Sequence, residues 1–319
     1  MIKRIAILTS GGDAPGMNAA IRSITRTAIN RGLEVFGIYD GYKGLVEDRL
    51  ELFDTKSVSE TLFKGGTILG TARLPEFKEE DYQQKAIETL KKHQIDGLCV
   101  IGGDGSYRGA LALHKLGVNV VGLPGTIDND LAGTDYTIGF HTALETVVEC
   151  IDKLRDTSSS HHRCSVVEVM GNRCGDLALY SGLATGAEIV VTADRPLDLP
   201  ALYEKLNYYN AHKKNHAIVV VNEKITDVSH LAELISENTG FSGRASVLGH
   251  IQRGGSPCPF DRILASRMGN KAVEILMNGD SGKCVCIQDD HIIALPIETV
   301  LTMPKENKSR LYELFDSLV

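Results

Sequence analysis

The segment PGTIDNDLAGTD, Pro124 to Asp135, sets three carboxylates, Asp128, Asp130 and Asp135, behind the apolar run NVVGLP. Like charges this close repel, so such a cluster suits holding a cation or accepting a proton. A cluster of Asx turns is the plain alternative. A further carboxylate, Asp104, stands in IGGDGSYRG among Gly102, Gly103 and Gly105. Glycines there let phosphate approach the backbone. A carboxylate beside phosphate needs a cation between them, and Mg²⁺ held by one or two carboxylates plus phosphate oxygens supplies it. Asp104 is therefore the metal candidate, with capping of a helix near Ser106 as the alternative. If Asp104 faces Mg²⁺, Asp128 and Asp130 face the same strand-end crevice. One accepts a hydroxyl proton; the other orients that group or reaches the metal through water.

GGDAPGMN, Gly11 to Asn18, has P-loop spacing but Met17-Asn18 where Lys-Ser/Thr would stand. It is not the loop of a P-loop NTPase, so positive charge must come from elsewhere. Arginines match phosphate oxygens bidentately. GTARLPEF offers Arg73, TSSSHHR ends in Arg163, FSGRAS holds Arg244, and GHIQRGGSP holds His250 and Arg253. Singly, each also fits a surface salt bridge; the His250–Arg253 pair beside two glycines fits phosphate better.

Elements must position these groups. RIAILTS, LEVFGIY, GLCVIGG, NVVGLPG, SVVEVMG, EIVVTAD, HAIVVVNE, SVLGH and CVCIQ read as strands. Helical patterns such as MNAAIRSITRTAINRG and DYQQKAIETLKKHQID lie between them, and KSRLYELFDSLV closes the chain as an apolar-faced helix. Continuous apolar strands alternating with helices predict an α/β fold with largely parallel sheets in two lobes, meeting near residue 138. Glycine turns follow four of the strands, where ligands of open α/β sheets bind.

Bulk properties agree with two domains: 319 residues, 43% hydrophobic and 24% charged. A net charge of −7 with no Lys/Arg block argues against nucleic-acid or anionic-membrane partners. The N-terminus lacks a signal-peptide pattern, and no run of about 18 apolar residues suggests a membrane span. Seven scattered cysteines without CxxC predict free thiols in a reducing cytoplasm, with Cys284 and Cys286 packed on one strand face.

ILTSGGDAPGMNAAIR, GYKGL, GTARLPEF, VIGGDGS, LPGTIDNDLAGTDYTIGF, DTSSSHHR, VVEVMG, LGHIQRGGSP and DRILASRMG resemble the motifs of bacterial 6-phosphofructokinases through nearly the whole chain. The resemblance implies phosphoryl transfer from Mg-ATP to the 1-hydroxyl of fructose 6-phosphate, giving fructose 1,6-bisphosphate and ADP in glycolysis. It implies two doubly wound lobes with the active site in the cleft between them. Residues 1–138 plus about 252–305 would bind nucleotide, and 139–251 plus about 306–319 the sugar phosphate. Asp128 corresponds to the base, Thr126 and Asp130 to groups positioning the sugar and metal, and Asp104 to the Mg²⁺ ligand. Arg73 would bridge to the transferred phosphate near Gly12. Gly103, Asp104, Gly105 and Ser106 would line the nucleotide, flanked by Tyr42, Leu74 and Lys78. Met170, Gly171, Asn172, Glu223, His250 and Arg253 would hold the sugar phosphate, with Arg163 and Arg244 reaching in from a neighbour in a homotetramer.

Pyrophosphate-dependent relatives of that family carry Asp in place of Gly105 and Lys in place of Gly125; both are glycine here, which leaves room for ATP. Two departures stand out. The family's Arg-aromatic pair after Met-Gly is replaced by Asn172-Arg173, displacing the arginine by one residue. At the effector site, which in the family takes ADP and phosphoenolpyruvate, Arg22, Arg26, Arg155, Lys214, His216 and the metal-reaching Glu188 remain. Thr55 stands where Arg is typical, with Lys56 beside it, and His212 and Asn215 also replace basic residues, so weakened phosphoenolpyruvate inhibition is expected. Rival readings are the GGDG-turn NAD and diacylglycerol kinases, which lack GTIDNDLAGTD and GHIQRGGSP, and a catalytically silent sugar-phosphate sensor. The sensor could dispense with Asp128 or Arg73, and both are present.

Overall fold

The computed structural model describes residues 2–319. In chain order the strands are β1 (Arg4–Thr9), β2 (Glu34–Ile38), β3 (Leu50–Phe53), β4 (Gly97–Gly102), β5 (Val120–Pro124), β6 (Arg163–Val169), β7 (Ile189–Val191), β8 (Ala217–Asn222), β9 (Ser242–Val247), β10 (Lys283–Gln288) and β11 (His291–Pro296). The helices are α1 (Met17–Asn30), α2 (Gly41–Val46), α3 (Glu80–Lys92), α4 (Asp104–Lys115), α5 (Phe140–His161), α6 (Asp176–Thr185), α7 (Leu199–Ala211), α8 (Val228–Asn238), α9 (Pro259–Met277), α10 (Ile297–Thr302) and α11 (Ser309–Leu318).

The chain divides into two compact units. The first runs to Ile127 and adds Leu131–Thr142 and Arg253–Lys305. Its sheet has the order β11-β10-β5-β4-β1-β2-β3. Every pairing is parallel except β2–β3 and β10–β11. The second unit comprises Asp128–Asp130, Ala143–Gln252 and Glu306–Val319. Its sheet, β7-β8-β6-β9, is parallel throughout.

Strands β4, β5 and β8 are buried along their whole length, as apolar strands covered on both faces must be. Helix α1 buries Met17, Ile21, Ile24 and Ala28, the three- and four-residue spacing that draws one face onto a core. It meets α9 closely: Ser23 Oγ donates to Ser266 O at 2.6 Å, and a Cβ on Gly269 would stand 2.7 Å from that of Ser23.

Two strands escape the sequence pattern. β3 is mostly exposed, and β11 is half-buried along its middle. The SVLGH strand is corrected. β9 ends at Val247, and Gly249, with φ 57°, turns the chain into a 3₁₀ segment over Gly249–Arg253. All seven cysteines are free thiols; Cys284 and Cys286 are buried, and burial pushes the Cys286 thiol up to about 12.

Candidate active site

In the first unit, the strand ends gather the phosphate-handling candidates. Gly103 is the N-cap of α4, and Asp104, Gly105 and Ser106 form its first turn. First-turn N–H groups and the positive helix end favour an anion. The helix begins two residues before the expected Ser106, so Asp104 sits inside it rather than capping it. Asp104 Oδ1 accepts from Gly105 N at 2.6 Å and Oδ2 from Arg108 at 3.0 Å, on a side chain 55% exposed. Among the described residues no three His, Cys, Asp or Glu side chains form a metal cluster. A single exposed carboxylate at a phosphate cradle fits Mg²⁺ carried in on phosphate oxygens, which needs only one or two protein carboxylates.

Ser106 Oγ is buried without a hydrogen-bond partner among the described residues, and the Cβ of a residue at Gly11 would stand 3.4 Å from it. Thr126, buried at the end of β5, is next to Gly103: a Cβ there would lie 3.8 Å from Thr126 Cβ. Arg253 belongs to this unit. Its guanidinium lies where a Cβ on Gly12 would be, and it donates to Asp13 O at 3.3 Å. Only glycine permits that approach. Arg73 and Lys78 are exposed and have no hydrogen-bond or ion-pair partner among the described residues; Leu74 beside them is half-buried. Tyr42 differs from a nucleotide-flanking wall. It is 6% exposed, stacks on Phe77 at 4.2 Å, and donates to Ser106 O at 2.6 Å, so it braces the α4 turn from behind.

The donor-selecting glycines separate. A Cβ at Gly105 meets nothing within 4 Å, so that position is open. At Gly125 a Cβ would stand 2.8 Å from Ile101 Cγ2 and 3.1 Å from Met17 Cε. A Cβ at 125 would press on the Ile101 and Met17 side chains, whereas position 105 is open, so the room for ATP is read more directly at 105.

In the second unit, the acidic segment has an internal logic. Asn129, 1% exposed and at φ 50°, donates to Asp176 Oδ2 at 2.8 Å at the start of α6, and Cys174 Sγ approaches Asn129 O at 3.5 Å. The buried Asn anchors the turn, and Asp128 and Asp130 flank it, each half-buried. The third acid, Asp135, lies in the first unit: its N–H donates to Ile287 O, and its carboxylate accepts from Asp289 N at 2.8 Å. It is a structural turn residue.

Asn172 Nδ2 reaches Asp130 Oδ2 at 3.4 Å, and Asn172 N donates to Glu223 Oε1 at 2.8 Å. Met170 N donates to the buried Gln252 Oε1 at 3.1 Å. Met170, Gly171, Asn172 and Glu223 thus converge at the carboxyl ends of β6 and β8, where open α/β sheets bind ligands. His250 is exposed in the 3₁₀ segment. Arg163 and Arg244 stay apart from this group. Arg163 opens β6, roughly 20 Å from its far end at 3.3 Å per residue. Arg244 pairs in register with Ser165 on the edge strand β9. Asn129, Asp176 and Gln252 escaped the sequence reading. Their signals, an Asn between two acids and a Gln inside GHIQRGGSP, are visible only in hindsight of burial.

The effector candidates also divide between units. Arg22 and Arg26 share a face of α1, without partners among the described residues, and Thr55 is exposed on a turn. In the second unit Lys214 pairs with the buried Glu188 at 2.5 Å, and Arg155 Nη1 meets His216 Nε2 at 3.2 Å. Burial holds the His216 pKa below its ordinary value; Glu188 opposes this, while Arg155 and Lys214 add to it. Asn215 donates to Ser159 O at 3.3 Å, and His212 Nδ1 lies 2.8 Å from Tyr208 O, so both are occupied locally.

A doubly wound α/β protein with glycine turns, acids and cations at its strand ends belongs to the class that handles phosphorylated ligands. Residues 4–276 match the family described as phosphofructokinase, and the chain belongs to that family. It is 56% identical over all of both chains to the ATP-dependent 6-phosphofructokinase of Aliivibrio fischeri, and 54% identical over all of both chains to that of Vibrio cholerae. Phosphofructokinase from Saccharomyces cerevisiae superposes with a TM-score of 0.91 at 33% identity, over 99% of this chain and 50% of the yeast chain.

Proposed function

We infer that the protein transfers the γ-phosphoryl group of ATP to the 1-hydroxyl of fructose 6-phosphate, as an enzyme of glycolysis in the cytoplasm. The observation that carries this reading is the anchored Asp128-Asn129-Asp130 turn: two carboxylates held beside a buried, hydrogen-bonded asparagine rather than neutralised in a helix. Asp128 accepts the hydroxyl proton as the sugar oxygen attacks the γ-phosphorus; the bond to the bridging oxygen breaks and ADP leaves. Asp130 and Thr126 orient the sugar. The N–H groups of the α4 turn and of the Gly11-Gly12 turn face phosphate oxygens, and Arg73 meets the charge that develops on the transferred group. Asp104 is the residue that would hold Mg²⁺, which neutralises polyphosphate charge when bound. Met170, Gly171, Glu223, His250 and Arg253 hold the sugar phosphate, and Asn172 stands among them at the Asp130 corner.

Arg163 and Arg244, remote in this chain from the Asp130 corner, complete a neighbour's site in a homotetramer. Arg22, Arg26, Arg155, Glu188, Lys214 and His216 form the effector site for ADP and phosphoenolpyruvate. Thr55, His212 and Asn215 remove charge there, so phosphoenolpyruvate inhibits weakly; steep inhibition at sub-millimolar concentration in a rate titration would contradict this. The primary test is the initial rate with fructose 6-phosphate and Mg²⁺, with ATP or pyrophosphate as donor. Turnover with ATP alone is expected. Turnover with pyrophosphate alone would overturn the donor, and substrate binding without turnover would favour the silent sensor.

A further inference from the structure

Asn172 has a partner for each of its polar groups, and they join two loops. Its N–H donates to Glu223 Oε1 at 2.8 Å, and its carbonyl accepts from Asn222 Nδ2 at 3.0 Å. Its side-chain Oδ1 accepts from Lys224 Nζ at 2.8 Å, and its Nδ2 reaches Asp130 Oδ2 at 3.4 Å. Both Asn172 (φ 55°) and Lys224 (φ 67°) hold the left-handed conformation that side chains other than glycine rarely adopt. Arg173, the neighbouring cation, is exposed and has no partner among the described residues.

We propose that Lys224 and Asn172 are positioning residues for phosphoryl transfer, Lys224 fixing which way the Asn172 carboxamide faces and the carboxamide in turn holding Asp130. A carboxamide fits its site in two orientations of nearly equal shape, one presenting oxygen and one presenting N–H₂. An ammonium only donates, so Lys224 selects the orientation that turns oxygen toward itself. The N–H₂ then faces Asp130, which only accepts. Without Lys224 the amide oxygen loses its charged donor, and the carboxamide holds its N–H₂ less firmly on Asp130.

The inference rests on the kinase reading, and the test separates the two. Rates are measured against fructose 6-phosphate at saturating ATP. Lys224→Met lowers kcat about tenfold, the effect of losing one charge-assisted hydrogen bond, with little change in KM. Lys224→Arg, which can still donate to Oδ1, restores most of it. Asn172→Gly, chosen because glycine accepts the positive φ, loses as much as Lys224→Met. The double variant loses no more than either alone, as required if Lys224 acts through Asn172. Arg173→Ala retains full activity. Melting temperature hardly moves in Lys224→Met, because that side chain is exposed. Unchanged kcat in Lys224→Met, multiplying losses in the double variant, or no rescue by arginine would overturn the proposal. A wild-type protein inactive with both donors would instead sink the kinase reading and the proposal with it.

Discussion

At the scale of single residues, the acids near residue 130 do different work although the sequence presents them alike. Asp135 closes a turn against Ile287 and Asp289, Asn129 anchors on Asp176, and Asp128 and Asp130 flank it half-buried, with Asp130 accepting from Asn172. If Asp128 is the base, Asp128→Asn keeps the shape and the sugar contacts but cannot accept the proton. We expect kcat to fall about 10²- to 10⁴-fold, the usual worth of a general base, while KM for fructose 6-phosphate shifts little. Steady-state kinetics of the purified variant check this, and near-normal turnover would remove Asp128 from that role. Legibility was high for such groups because charged residues beside glycines after apolar strands are unusual in sequence. It was low for Tyr42 and Gly125. A tyrosine near a nucleotide motif reads as a wall, yet its burial and its bond to Ser106 make it a brace. A glycine read as room for a ligand also lets Ile101 and Met17 pack close behind it. Neither fact has a signature along the chain, because both depend on what packs against the residue.

Among elements, the start of α5 shows how a distant helix supplies what a local cap lacks. Asp261, fully buried in the first turn of α9, accepts from Gly139 N at 3.0 Å, Thr142 N at 2.8 Å and Thr142 Oγ1 at 2.6 Å. Burial raises its pKa, and the bonds from Thr142 and Gly139 oppose that rise. Asp261→Ala would strand these donors in a dry interior, at a cost of about 3 kcal/mol on typical values for buried unsatisfied groups. Urea unfolding should show that loss in midpoint, whereas a loss below roughly 0.5 kcal/mol, the level of an ordinary surface change, would contradict it. His141, the second residue of α5, packs on Phe260 at 3.9 Å and on Tyr136 at 4.6 Å, and burial lowers its pKa from 6.5 to about 4. The unfolded chain therefore binds a proton between those values that the native state refuses. His141 contributes no penalty above pH 6.5, and stability falls as pH drops from there toward 4. His141→Phe, which keeps the ring packing, should lose less melting temperature than the wild type between pH 7 and 5; parallel losses would show that His141 does not contribute. Periodicity revealed the long helices and buried strands because burial writes itself as apolar spacing. It missed β3 and β11, whose exposed faces leave no such record, and overran β9, where Gly249 turns the chain.

For the whole molecule, the cations divide by whether this chain satisfies them. Arg155 and Lys214 find partners inside the second unit, whereas Arg22, Arg26 and Arg163 have none among the described residues. Among the described residues Arg244 donates only to the carbonyl of the preceding residue, Gly243 O, at 2.7 Å. Charged arginines sit mostly on protein surfaces, so exposure alone proves nothing. Position discriminates better: Arg163 starts the strand whose far end leads to Met170–Asn172, so it cannot serve the Asp130 corner of its own chain. On the homotetrameric reading it serves a neighbour's, and an isolated subunit would lack the two arginines that clamp the sugar phosphate. Removing charge-assisted phosphate contacts worth about 1.5–3 kcal/mol each should weaken fructose 6-phosphate binding by at least tenfold. The measurement is a dilution series that follows specific activity and molecular mass together at fixed substrate. Activity should fall in step with the tetramer fraction and return when saturating fructose 6-phosphate drives reassembly, because a ligand bound by the assembled form stabilises it. Constant specific activity through a demonstrated loss of tetramer would mean that each chain carries a complete site, and that Arg163 and Arg244 have some other task.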